Sequence, residues 1–86
     1  MDSKTPATDQ PVLGHIQQLV DEEHRLFEKG ERGTVEEPDR HRLAQVQVEL
    51  DQCWDLLRQR RALRAAGQDP DLAQVRSAQV VENYEQ

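Results

Sequence analysis

Aromatic residues are scarce, limited to Phe27, Trp54 and Tyr84, and the chain nowhere alternates aromatic and basic residues as a single-strand nucleic-acid binder does. Cys53 is the single cysteine, so no internal disulfide can form and a reducing compartment is expected. No apolar run is long enough for a signal peptide or a membrane span, so the expected location is the cytoplasm, without membrane contact. Glycine is equally sparing. Its four positions punctuate helices and never gather into a phosphate-cradling loop, and CxxC pairs and Ser/His/Asp arrangements are missing too. These absences argue against an enzyme and against a bound cofactor.

What is present is charge. One third of the 86 residues are charged, 35% are apolar and the formal net charge is −6. A chain this short and polar draws only a few kcal/mol of stability from its own core, and self-association is the usual way to bury more. The negative total argues against a nonspecific nucleic-acid binder. The charge is unevenly spread, however. Residues 1–39 hold ten acids against four bases, while Arg58, Arg60, Arg61 and Arg64 fall in a stretch without an acid.

The apolar residues are ordered. Residues 1–8 show no periodicity and read as a loose tail. Asp9-Gln10-Pro11 offers a capping residue ahead of a proline. Leu13, Ile16, Val20 and Phe27 then recur at helical spacing, with Val12, Leu19 and Leu26 widening the stripe on one side. This predicts an amphipathic helix over about residues 10–29, stopped by Lys29 and Gly30. After a short turn, Thr34 with Glu37 matches a capping box, and Glu37-Pro38 is an equally good start. Leu43, Val46, Leu50, Cys53 and Leu57 form the seam of a second helix over about 35–66, ended by Gly67. The expected fold is all-α: an antiparallel helical hairpin over 9–66, pairing in coiled-coil fashion into a four-helix homodimer, with a partly ordered tail over 67–86.

The second helix outruns the first by about ten residues, and its apolar surface broadens near Trp54, where Leu56 and Leu63 flank one side of the seam. One short helix cannot cover that arc. Either a second copy does, or the tail, in which Asp69-Pro70 can start a helical turn and Val75, Val80, Val81 and Tyr84 offer contacts.

Several residues have both a functional and a structural reading. Arg60 and Arg64 continue the seam beyond Leu57, so the dry core ends there. They either pair with Asp69, Asp71 or Glu82 or form an anion or partner site. Trp54 lies one turn before Arg58 and either stacks under its guanidinium or seals a helix interface. Asp51 and Asp55 read as solvated charge on the outer face, and Cys53 as a small buried apolar residue. His15 falls near the level of Glu49, within a turn of Cys53 but pointing away from the seam. His24 and His41 lie level near the turn, without the spacing of a metal site, so no metal ligand is expected. Glu23 falls on the seam between Val20 and Phe27, where a carboxylate needs a partner, and Arg42 across the hairpin is the expected one.

The segments VDEEHRL (20–26), LDQCWDLLRQRR (50–61), DPDLAQVR (69–76) and VVENY (80–84) resemble a family of short uncharacterised actinobacterial helical proteins, a domain of unknown function. The resemblance implies a small stand-alone helical protein and carries over no catalytic or cofactor residue. The expected role is thus a non-enzymatic interaction or structural module, using the surface of Trp54, Arg58, Arg60, Arg61 and Arg64 to meet a protein partner, a second copy, or both. The alternative is a regulator touching nucleic acid or the transcription or translation machinery through the same arginines.

Overall fold

The computed structural model describes residues 8–84, with side chains as far as Glu82. The loose tail expected over 1–8 lies outside the described residues up to residue 7, as does the side chain of Tyr84. Helix α1 spans Gln10–Glu31, α2 Glu37–Ala65 and α3 Ala78–Tyr84, with a single 3₁₀ turn at Pro70–Leu72.

The start of α1 is not capped by Asp9. The hydroxyl of Thr8 accepts from the Gln10 N–H at 3.1 Å, which leaves the Asp9 carboxylate for another task. The helix also runs through Gly30. It ends in a Schellman motif whose left-handed residue is Gly33 (φ +72°), with the Gly33 N–H on Gly30 O at 3.1 Å and the Thr34 N–H on Lys29 O at 2.9 Å. The Thr34 hydroxyl donates to the same Lys29 carbonyl. Thr34 therefore closes α1 and is not the cap of α2. That cap lies at Glu36, whose N–H donates to the Asp39 carboxylate at 3.1 Å, and Asp39 is held in turn by the Lys29 ammonium at 2.9 Å. The end of α2 repeats the Schellman pattern at Gly67 (φ +73°), with the Gln68 N–H on Leu63 O at 2.8 Å.

The hairpin core joins Ile16 and Leu19 of α1 to Val46, Leu50 and Cys53 of α2, with Val12, Val20 and Leu57 packed at its edge. Leu26 is buried nearer the turn, whereas Leu13 is 41% and Phe27 46% exposed. The seam of α1 is thus rotated by about one residue from the expected stripe. On α2, Val46, Leu50 and Cys53 are buried and Leu43 is half-buried.

Arg42 is the cross-hairpin partner of a carboxylate, but of Glu22 and not Glu23. Its Nε and Nη2 grip the two Glu22 oxygens at 2.6 and 2.8 Å, and its Nη1 reaches Glu49 at 3.3 Å. The rotation of α1 explains the change, since it moves Glu22 to the edge where Arg42 emerges. A double-mutant cycle on Glu22 and Arg42 is expected to give a clear coupling energy, and the same cycle on Glu23 and Arg42 none. Equal couplings would place the pairing elsewhere.

The tail returns along the side of α2 opposite α1. Asp69 caps the 3₁₀ turn by accepting from the Asp71 N–H at 2.9 Å, and Pro70 is buried. The extended stretch that follows is held by side-chain amides. Gln59 donates to Gln74 O at 2.8 Å and Gln52 to Arg76 O at 3.1 Å. Ser77 caps α3 through the Val80 N–H at 3.3 Å. Of the tail valines expected to contact α2, Val81 is buried at 1% exposure, whereas Val75 and Val80 point outward at 63% and 50%. Helix α2 is therefore the middle of three side-by-side elements, and the Cα extents of 55 × 31 × 16 Å are those of one layer.

Candidate interaction surface

The arginine stretch divides in two. Arg60 is 7% exposed and fully engaged. Its Nε donates to Asp9 at 2.6 Å, its Nη1 to Asp71 at 2.8 Å and to Pro70 O at 3.3 Å, and its Nη2 to Thr8 O at 2.8 Å. Arg64 forks onto the same Asp9 carboxylate at 2.6 and 3.1 Å. The guanidinium of Arg60 thus fastens the segment before α1, α2 and the 3₁₀ turn at one point. Asp71 was among the acids expected there. Asp69 is used for its own cap, and Asp9, distant in sequence, is the added partner. Arg58 and Arg61 are exposed and make no ion pair or hydrogen bond among the described residues.

These pairs make the fold sensitive to acid. The hydrogen bonds from Arg64 and then Arg60 hold the Asp9 carboxyl down at about 2, from an ordinary 3.8. Arg42 lowers Glu22 and Lys29 lowers Asp39. A carboxyl depressed in the folded state adds stability above its unfolded pKa, and that stability is lost as pH falls through the folded value. The melting temperature should therefore hold steady near neutrality and fall between the ordinary 4.5 of Glu22 and the 2 of Asp9, and Asp9→Asn should flatten that fall. An equally steep fall in the variant would exclude Asp9 as its source.

Asp55, expected on a solvated outer face, is 3% exposed. The tail covers it, and the carboxylate takes the Arg76 guanidinium at 3.2 Å and the Gln59 amide at 2.9 Å. Gln52, Asp55 and Gln59 recur at helical spacing opposite the apolar seam, and that polar stripe was the sequence signal for a docked tail. Cys53 lies in the hairpin core, and burial pushes its thiol up from 9.0. Labelling by an aromatic disulfide should be slow in buffer and quick in denaturant. Fast labelling of native protein would contradict the burial. Among the described residues no group of three or more His, Cys, Asp or Glu could hold a metal ion, and His15, His24 and His41 are all exposed. An open groove of about 570 Å³ runs along α2 beside the start of α3, lined by His41, Ala44, Val48, Gln52 and Ala78 among others.

The two broad faces of the layer differ in character. Asp9–Arg60 and Glu22–Arg42 fix the register of the hairpin, which brings Leu13 level with Trp54 and Val20 level with Gln47. At 3.6 residues per turn, Glu22, Arg42 and Glu49 emerge on one face, where two carboxylates share one guanidinium. Leu13, Val20 and Phe27, spaced by heptads, emerge on the other, together with Leu43, Trp54, Arg58 and Arg61 of α2. Trp54 is 45% exposed there, and neither α1 nor the tail seals it.

No helix among the described residues is long and apolar enough to cross a membrane. The model of a family described as "Protein of unknown function (DUF2630)" matches residues 8–86. The uncharacterized protein Rv0898c of Mycobacterium tuberculosis (strain ATCC 25618 / H37Rv) is 50% identical over 78 residues, covering 90% of each chain. The uncharacterized protein Mb0922c of Mycobacterium bovis matches with the same identity and coverage. No solved structure matches the chain. The region matched by the family model takes in the Arg60 fastening, the Trp54 face and the docked tail alike, and the chain belongs to the DUF2630 family.

Proposed function

We propose that the protein is a non-enzymatic helical module that docks another polypeptide on the face of Leu13, Phe27 and Trp54. The observation that carries this reading is the 41–46% exposure of three large apolar side chains on a face shared by two helices. Large exposed apolar side chains gathered on one face of a small chain mark interaction sites, and tryptophan flanked by arginine has the composition of a binding hot spot. The internal commitment of Arg60 and Arg64 leaves Arg58 and Arg61 as the two arginines of the 58–64 stretch that are available to the rim of such a site.

The test is affinity capture from cells with wild-type and Trp54→Glu baits, each with and without nuclease. Wild type should retain a polypeptide, a second copy included, that nuclease does not release and Trp54→Glu does not hold. Capture that nuclease abolishes would shift the function to nucleic acid and the site to Arg58 and Arg61.

A further inference from the structure

The described elements make one layer, whereas a stable domain closes its apolar surface between at least two. The tail covers one side of α2 and α1 the opposite side. Of the two remaining broad faces, the Glu22–Arg42–Glu49 network occupies one. The other presents Leu13, Phe27 and Trp54 to solvent. From these observations, and resting on the docking reading above, we infer that the occupant of the Trp54 face is a second copy of this chain. Two layers then close over each other as a four-helix dimer, with the tails on its flanks.

Area supports this occupant. Two helices side by side, each about 10 Å wide and overlapping for about 33 Å, offer about 650 Å² per copy. Two such faces bury about 1,300 Å², within the range of stable protein–protein interfaces. Charge supports it as well. The chain carries −6, so two copies repel when brought together at random. Helical periodicity, however, places Glu31, Glu36 and Asp51 on the Trp54 face together with Arg58, Arg61 and the Arg40 that pairs with Glu37, so charges of both signs are interspersed there. Copies therefore meet through this face with a smaller like-charge penalty than the chain total implies. A strongly basic or acidic partner finds no complementary field there. An isologous contact also requires a surface that complements itself, and an apolar middle with charges of both signs meets that requirement.

The deciding measurement is sedimentation equilibrium of the full chain at high micromolar concentration, for wild type, Trp54→Glu on α2 and Phe27→Glu on α1. Both substituted side chains are nearly half exposed, so each variant should keep its helical circular dichroism. Wild type is expected at twice the 9.9 kDa chain mass and both variants at the single-chain mass. A monomeric wild type would overturn the second copy as occupant while leaving the docking face to the capture experiment. A dimer that survives both substitutions would overturn the docking face too, because association would then use another surface.

Discussion

Replacing Arg60 with alanine is expected to lower stability by about 2–3 kcal/mol and the melting temperature by about 10–20 °C, a large fraction of what a domain of this size possesses. From α2 its guanidinium serves four acceptors in two other segments, Thr8 O and Asp9 before α1 and Pro70 O and Asp71 in the 3₁₀ turn. Alanine removes every donor at once. It leaves the Thr8 carbonyl and the Asp71 carboxylate without that donor, while Arg64 still holds Asp9 and the Ala73 N–H still holds the Pro70 carbonyl, so the tie between the two segments is lost. An exposed ion pair contributes little, but here the arginine itself is buried, so its aliphatic stem and the 3₁₀ turn lose packing together. Arg60→Lys should recover only part of the loss, because an ammonium cannot spread donors across that arc. Arg61→Ala, one residue along, should change stability by less than about 0.5 kcal/mol. Thermal melts followed by circular dichroism would read the difference, and amide exchange should show residues 68–76 opening in the Arg60 variant before the hairpin does. An Arg60→Ala protein that melts with wild type would show that the fastening is decorative.

What could be read from sequence was what is local. Asp69-Pro70 started a helical turn, Gly67 ended α2, and the three–four spacing of Val46, Leu50 and Cys53 marked the buried side of α2. All of these depend on neighbours within one or two turns. The Arg60 site does not: Asp9 is distant in the chain, and an aspartate before a helix reads first as a cap. Nothing near it says that Thr8 takes the capping role instead. The turn misled for a similar reason. Both Gly30 and Gly33 can end a helix, and the choice went to the glycine that lets Thr34 return to the Lys29 carbonyl. Asp55 looks solvated in sequence because the side of α2 opposite the apolar seam carries polar residues, and only the return of the tail over that side buries it.

The stripe of α1 was ambiguous for a physical reason that can be measured. Val12 and Leu13, Leu19 and Val20, and Leu26 and Phe27 are adjacent apolar pairs, each about two turns from the next, so two faces offset by 100° fit the sequence equally well. The fold buries the first-named member of the last two pairs, with Leu19 3% and Leu26 8% exposed. The second face, with Leu13 and Phe27, turns toward solvent and toward any docked copy. The same helix thus has a seam for its own hairpin and a shoulder for association. On the Trp54→Glu background, where association does not enter, Leu19→Ala should lower the unfolding free energy by about 3 kcal/mol, from lost transfer energy and the cavity left against Val46 and Leu50. Leu13→Ala on that background should lower it by less than about 1 kcal/mol, since much of the side chain is already in water. Urea denaturation followed by circular dichroism would read both. In an otherwise wild-type chain the order should change in kind: Leu13→Ala should weaken association more than folding, and Leu19→Ala should act chiefly on folding. Equal losses at the two positions on the Trp54→Glu background would mean that both faces belong to the hairpin, with no shoulder left for a second copy.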